Sequence, residues 1–193
     1  MIEITTNKQL CLNLGCGNDY KEGWLNCDFN KDNKIDLYCD LTAETLPWAD
    51  NSVDRILMDN VLEHIPRERY FHFMDELWRI CKHGAMIEIY VPHCTSPFAF
   101  GNPAHYNFFH SHSMSVMDVK VPCSYERYNS ARFNIKATIL PFHHNYFHFH
   151  FLSGLNKFTA WIFNISPTWQ MICEKITPWG FEEVHYQLEV VKC

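Results

Sequence analysis

The chain is predicted to fold as a doubly wound (Rossmann-like), mostly parallel α/β sheet. Short apolar runs bounded by Gly, Asn, Asp and Pro recur through the first ninety residues, as buried parallel strands do. The first run, Leu12–Leu14, enters a tight glycine turn, Gly15-Cys16-Gly17, and an acid, Asp28, follows. A buried strand, a tight turn and an acid at the tip of the next strand are what a nucleotide-binding α/β fold requires.

Seven strands and one clear helix are predicted along the chain. The helix is expected over 66–82, where apolar residues recur at three- and four-residue steps and Gly84 lies just past the end. A second helix is expected around 155–165. The expected strands cover 10–14, 24–28, 35–39, 52–59, 86–91, 131–137 and 183–191. In this order they imply right-handed crossovers and a seven-stranded sheet.

The connection between the first two strands is unusually short. Only residues 18–23 separate the glycine turn from the second strand, so a turn or a single helical turn is expected there. Without a helix there, the helix dipole contributes less to ligand binding, so the backbone amides of the turn are expected to contribute more.

Composition bounds the class of protein. A chain of 193 residues suits a single domain over 1–193. A formal charge of −6 disfavours a nucleic-acid partner. No apolar run is long enough to span a bilayer, and the first nine residues lack a signal-peptide pattern. Nine scattered cysteines without CxxC spacing predict reduced thiols and a cytoplasmic location.

Five parts of the sequence carry a family resemblance when taken together: Leu12–Gly17, Asp28, Cys39–Leu41, the distinctive Leu46–Asp54 run and Asp59–His64. They resemble the class I S-adenosylmethionine-dependent methyltransferases, above all the small predicted methyltransferases of glycan and cell-surface gene clusters. The resemblance covers the first half well and continues loosely to 188–192. It implies S-adenosylmethionine as cofactor, S-adenosylhomocysteine as product, and methyl transfer to an O or N atom of a small molecule or glycan.

The resemblance assigns cofactor contacts to the glycine turn and to Asp28. Gly15, Cys16 and Gly17 would let the backbone approach the methionine part of the cofactor, and the turn amides would meet its carboxylate. Asp28 would accept hydrogen bonds from both ribose hydroxyls. The alternative is that Asp28 only caps the turn.

Further contacts follow from the same resemblance. Asp40 would accept from the adenine amino group, with the nearby Glu44 as the alternative acid. Leu41 would give apolar cover, and Asn60 would line the pocket near the reactive methyl. His64 is expected to close the strand-to-helix turn rather than take part in chemistry. Asn13 stands where many relatives carry an acid.

The acceptor side is predicted after the fifth strand, where an open α/β sheet places its substrate crevice. A neutral histidine can take a proton from the acceptor as the methyl arrives, with His105 the first candidate and His93 the second. The alternative is that these histidines only hydrogen-bond their loop. Two other functions stay open: a binding protein that keeps the fold without turnover, and an oxidoreductase, although Tyr20 breaks GxGxxG spacing.

An aromatic- and histidine-rich insertion distinguishes the C-terminal half. Beside the cofactor-binding half, 10–92, residues 93–130 and 142–180 are predicted to form the acceptor site or a lid. The 142–169 segment suits a lid, a homodimer face or a membrane-surface contact, the last disfavoured because only Lys157 is basic. The histidine spacings match no recognised ligand pattern, so no metal site is predicted.

Overall fold

A computed structural model of the chain describes residues 9–121, 130–141, 160–176 and 181–192. Seven strands form one sheet in the order β3-β2-β1-β4-β5-β7-β6. The strands are β1 (Cys11–Leu14), β2 (Leu25–Asp28), β3 (Leu37–Tyr38), β4 (Val53–Asp59), β5 (Cys81–Pro92), β6 (Phe133–Ile139) and β7 (Glu183–Val190). The helices are α1 (Arg67–Ile80), α2 (Pro97–Gly101) and α3 (Pro167–Ile176), with 3₁₀ turns at Leu62–His64 and Ser113–Met117.

The pairing confirms the predicted mostly parallel sheet. Strands β1 to β5 pair in parallel, and β7 is antiparallel to both β5 and β6. The order reverses at β1, which lies between β2 and β4. Because the carboxyl ends of parallel strands meet at one edge, the segments that follow β1, β2 and β4 come together there.

Burial follows the predicted periodicities. In β7 the alternate residues Val184, Tyr186, Leu188 and Val190 are all buried, as the period of two predicted. Helix α1 buries an apolar face against the sheet. It ends at Ile80, two residues before the predicted end, because β5 begins at once by pairing with β4.

The distinctive run before β4 is held by the end of α1. Arg79 donates to the carbonyls of Leu46 and Trp48, at 3.1 and 3.0 Å, and to the Asp50 carboxylate. The Glu76 carboxylate accepts the Leu46 N–H at 2.7 Å. Hydrogen bonds from Arg79 are the main reason that the pKa of Glu76 lies below its usual value. This network fixes the Leu46–Asp50 segment, which leads into β4.

The connection between β1 and β2 contains turns and no helix, as predicted. The buried Asn26 amide organises it. Its oxygen accepts from the Lys21 N–H at 2.8 Å and from Asn13 Nδ2 at 3.0 Å. Its nitrogen donates to the carbonyls of Lys21 and Trp24 and to Asp36. Polar contacts therefore replace the apolar packing that a helix would supply.

Seven of the nine cysteines lie in the described residues, and none of these seven forms a disulfide. Burial raises the pKa of Cys39 to about 11 and that of Cys81 to about 12, and it raises the pKa of Cys27 further. Such thiols pack as small apolar groups and react slowly.

The predicted insertion is described only in part. Of the 142–169 segment, residues 142–159 lie outside the described residues, and 160–163 are helical, within the helix predicted at 155–165. Among the described helices, none has the length and apolar character needed to cross a membrane.

Candidate functional site

A cavity of about 590 Å³ lies at the carboxyl edge of β1, β2 and β4, which is the edge where open α/β sheets bind ligands. We call it the first cavity. Its volume suits a ligand of cofactor size. It brings together six of the seven residues predicted to contact the cofactor, namely Gly15, Gly17, Asp28, Asp40, Leu41 and Asn60.

The two glycines of the turn are required for different reasons. Both have left-handed backbones, with φ of +65° at Gly15 and +50° at Gly17. A Cβ at Gly15 would lie 2.5 Å from Val61 Cγ2, so this glycine is fixed by protein packing. A Cβ at Gly17 would meet no protein atom within 4 Å, and the residue lines the first cavity. Gly17 therefore keeps open the space that a ligand can use.

The turn amides are already engaged. Gly15 N–H and Cys16 N–H both donate to the Cys27 carbonyl, at 2.8 and 3.1 Å, and Gly17 N–H donates to the Asp28 carboxylate at 2.8 Å. These three amides already have partners within the protein, and their contact with the cofactor's carboxylate stays a prediction. Cys16 is buried and is not among the described residues that line the cavity.

Asp28 ends β2 and is only 6% exposed. Its Oδ2 accepts the Gly17 N–H and its Oδ1 accepts the Asn30 N–H, both at 2.8 Å. Each carboxylate oxygen has lone pairs for a further hydrogen bond, and the residue lines the first cavity. Capping the turn and facing a ligand are thus compatible roles for this carboxylate.

Asp40 and Asn60 both line the first cavity. Asp40 Oδ1 accepts from the Thr42 hydroxyl at 2.7 Å and from its N–H at 2.8 Å, and these bonds lower the pKa of Asp40. Asn60 follows β4 with a left-handed φ of +53°, and its N–H donates to the Tyr90 carbonyl. This conformation places Asn60 in the wall of the first cavity and of a neighbouring one.

The neighbouring cavity, which we call the second cavity, shares Asn60 and His64 with the first. It is rich in carboxylates and imidazoles. Its lining comprises Asn60, Glu63, His64, Pro92, Phe98, Asn102, His105, Glu182 and Glu183. The first acceptor-side candidate, His105, is therefore next to the predicted cofactor site.

The loop after α2 is fastened across the Leu62–His64 turn, which explains the position of His105. Tyr106 N–H donates to the Glu63 carbonyl at 2.8 Å, and the Asn107 side chain donates to the carbonyls of Leu62 and Ile65, at the start of the turn and just after it. These bonds bring the His105 ring edge-on to the His64 ring, with the ring centroids 4.6 Å apart.

Both histidines have the same hydrogen-bonding arrangement. His105 Nδ1 lies 3.0 Å from the Ala99 carbonyl, and His64 Nδ1 lies 3.1 Å from the Ala104 carbonyl. Because a carbonyl can only accept, each Nδ1 carries the hydrogen, and the neutral ring keeps a free lone pair on Nε2. Burial lowers the pKa of His64, which favours this neutral form.

Glu63 is the residue that the sequence reasoning missed. It is 1% exposed, and neither carboxylate oxygen has a hydrogen-bond partner among the described residues. Burial, with a smaller contribution from the nearby Asp59 carboxylate, raises the pKa of Glu63 to about 7. Its sequence neighbours give no sign of this, because a glutamate in a short turn is usually solvated.

His93 is not brought to either cavity. Its ring is fully buried, with Nε2 at 2.9 Å from Glu174 Oε1 and Nδ1 at 2.7 Å from Thr95 Oγ1. Both nitrogens are therefore used in holding the β5 end against α3. The geometry gives His93 a structural position instead of the expected place beside the acceptor.

The family model described as "Methyltransferase domain" matches residues 16–89. The match begins within the glycine turn, at Cys16, and includes Asp28, the Leu46–Asp54 run and the Glu63–His64 turn. No curated protein matches the chain in sequence.

Solved structures share the fold at low identity. A SAM-dependent methyltransferase from Archaeoglobus fulgidus has a TM-score of 0.59 and 15% identity, covering 94% of this chain and 86% of that one. Phosphoethanolamine N-methyltransferase 2 of Haemonchus contortus, in complex with S-adenosyl-L-methionine, has a TM-score of 0.52 and 12% identity over 98% and 50% of the two chains. Geranyl diphosphate C-methyltransferase from Streptomyces coelicolor has a TM-score of 0.53 and 10% identity over 95% and 71%.

Proposed function

We propose that this chain is a class I S-adenosylmethionine-dependent methyltransferase, and that it transfers the methyl group to an O or N atom of a small molecule or glycan. The observation that carries the proposal is the pair of adjoining cavities. The first is lined by the glycine turn and Asp28, the second by His105, and they meet at Asn60 and His64. A donor and an acceptor bound in the two cavities would have their reacting atoms at that junction.

The residues of the first cavity suit the cofactor's polar groups. Asp28 has lone pairs left for ribose hydroxyls, and Asp40 has a second oxygen for an adenine amino group. Gly17 leaves open space beside the methionine part. When bound, S-adenosylmethionine supplies an electrophilic methyl whose C–S bond breaks, with the electron pair going to sulfur, as the bond to the acceptor forms.

The residues of the second cavity suit an acceptor that must lose a proton. His105 carries hydrogen on Nδ1, so its free Nε2 can take the proton of a hydroxyl or amine. The His105 ring lies 4.6 Å from that of His64, which lines both cavities, and this proximity supports a role for His105 beside the acceptor. Proximity and alignment of the bound acceptor would accelerate the transfer, and the base would add to the rate.

The second cavity favours an enzyme over a binding protein that keeps only the fold. A closed acceptor side without a base would indicate the binding protein, whereas here the second cavity is open and contains two imidazoles.

The seven cysteines of the described residues form no disulfide, and this supports a cytoplasmic location as part of the proposal. A homodimer through 142–169 also remains a proposal.

Calorimetry tests the cofactor part of the proposal. S-adenosylmethionine and S-adenosylhomocysteine should bind and NAD should not. The Asp28→Ala change should weaken S-adenosylhomocysteine binding by about 1–3 kcal/mol, because ligand hydroxyls lose their acceptor. The exposed Asp32→Ala variant, in the same loop, is the matched control. Equal affinity in Asp28→Ala and Asp32→Ala would refute the assignment of Asp28.

Turnover tests the acceptor part. With an acceptor found by screening hydroxyl and amine compounds, His105→Ala should lower turnover about 10²–10⁴-fold while S-adenosylhomocysteine affinity is retained. The exposed His110→Ala variant controls for loss of an imidazole elsewhere in the same loop. A loss no larger than that of His110→Ala would show that His105 does not act on the acceptor.

A further inference from the structure

We propose that Glu63, His64 and His105 bind one divalent transition-metal ion, with Zn²⁺ the best-matched ion, at the junction of the two cavities. The role of the ion rests on the proposed function, because it would hold the acceptor there. The histidine spacings in the sequence gave no metal pattern, since these ligands come from the Leu62–His64 turn and from a loop forty residues later.

The first observation is the convergence of three ligand types. One ligand atom from each of Glu63, His64 and His105 lies within 4.8 Å of the other two. Ligands around a bound zinc ion lie about 2 Å from the metal, so a contraction of roughly 1 Å would complete the site. Two imidazoles and a carboxylate suit zinc and leave further positions open for a substrate oxygen.

The second observation is the state of the two rings. Each Nδ1–H donates to a backbone carbonyl, that of Ala104 for His64 and that of Ala99 for His105. Metal-binding histidines are held in this way, because the bond fixes the ring orientation and leaves Nε2 as the ligand. The rings are thus already in the tautomer that a metal requires.

The third observation is independent of the first two. Glu63 is 1% exposed, and both of its carboxylate oxygens lack a partner among the described residues. Leaving a buried carboxylate unpaired is costly, and a cation in the cavity removes that cost. Neither oxygen is engaged in a hydrogen bond, so one or both can coordinate the ion.

A second group of similar composition does not meet these conditions. His110, His112 and Glu174 also have ligand atoms close together. The Glu174 carboxylate, however, accepts from His93 and from both the N–H and the hydroxyl of Ser111. Its oxygens are already satisfied, so this group serves as an internal comparison.

The ion would act on a hydroxyl acceptor. Coordination of the acceptor oxygen lowers the pKa of the hydroxyl, and its proton leaves to solvent. The oxygen then forms a bond to the methyl carbon as the C–S bond breaks with its electron pair on sulfur. With the ion bound, Nε2 of His105 is a ligand, and the ion takes over the acidification that the ring would otherwise perform.

The test uses the full chain without a histidine tag, treated with a chelator and desalted. Zn²⁺ is titrated by calorimetry, and Co²⁺ is followed by its visible absorption, which reports the geometry of nitrogen and oxygen ligands. One site is expected. The Glu63→Gln change should weaken it by about 10–100-fold or more, and His105→Ala should do the same. His110→Ala should leave it unchanged.

S-adenosylhomocysteine binding is measured on the same samples. Retained binding in Glu63→Gln shows that the variant is folded, and His105→Ala provides a second variant if it is not. Metal affinity equal to wild type in a folded variant overturns the metal site, as does a wild type that binds neither Zn²⁺ nor Co²⁺, and the proposed function then stands on its cofactor binding. A wild type that binds metal but not S-adenosylhomocysteine overturns the proposed function instead.

Discussion

The glycine turn offers a test in which strain and ligand contact separate. At Gly17 the backbone has φ of +50°, and a Cβ would meet no protein atom within 4 Å. An alanine there suffers left-handed strain of about 1–2 kcal/mol without a clash, so Gly17→Ala should lower the free energy of unfolding by that amount. Its methyl group also enters the first cavity, so S-adenosylhomocysteine affinity should fall about tenfold or more, which corresponds to about 1.4 kcal/mol.

Two other glycines separate the effect of backbone strain from the effects of ligand contact and of steric overlap. Gly84 has φ of +78° and open space around a Cβ, yet it lies outside both cavities. Gly84→Ala should therefore show the same strain with unchanged affinity. Gly15→Ala adds a 2.5 Å approach to Val61, so it should lose a further 1–3 kcal/mol, roughly the cost of overpacking. Adding Val61→Ala to Gly15→Ala should recover part of that loss.

The assays are urea unfolding for stability and calorimetry for affinity. Gly17→Ala is compared with Gly84→Ala, so that strain cancels and only the effect of the cavity remains. If these two variants bind S-adenosylhomocysteine equally well, the turn does not face the cofactor, and the assignment of the first cavity is refuted.

Three further outcomes are expected. Thiol titration of denatured, unreduced protein should count close to nine sulfhydryls, and the buried Cys27 and Cys81 should react only after unfolding; two or more intact disulfides would contradict the reduced state. Glu76→Gln should destabilise the protein at neutral pH. The difference in stability from the wild type should vanish as the pH falls through the lowered pKa of Glu76, because protonation then breaks the pair with Arg79 in the wild type too. Urea unfolding at a series of pH values measures this difference. In chelator-treated protein, the free energy of unfolding of the wild type should fall between pH 4.5 and about 7, because Glu63 ionises more easily in the unfolded chain than in the folded one. This fall is on the order of 3 kcal/mol at most, and Glu63→Gln should abolish it. Equal pH profiles of the two proteins would count against the buried carboxylate.

Much of the fold could be predicted because it depends on local patterns. The period of two in β7 placed Val184 to Val190 on one buried face, and the glycine turn with Asp28 marked the strand edge that bears the first cavity. The short β1–β2 connection followed from residue count alone. The end of α1 was misjudged at Cys81, because whether that residue continues a helix or pairs with β4 is decided by the sheet.

The second cavity was harder to predict, because its properties arise between segments distant in the chain. Whether Glu63 is buried depends on the loop of Tyr106 and Asn107 that covers its turn, and no local pattern reports that. His93 and His105 lie in one histidine-rich loop and are alike in sequence. They differ in their surroundings, because His93 is hydrogen-bonded to Glu174 on α3, whereas His105 lines the second cavity.

The helix-free connection between β1 and β2 has a consequence for the energetics of ligand capture. Five hydrogen bonds to the Asn26 side chain, together with the engaged amides of Gly15 to Gly17, hold the turn in one shape before any ligand arrives. A loop that is already ordered loses little conformational entropy on association, so preorganisation here offsets the missing helix dipole. The Asn26→Ala change should accordingly make the entropy of S-adenosylhomocysteine binding less favourable, because the turn would then have to order around the ligand.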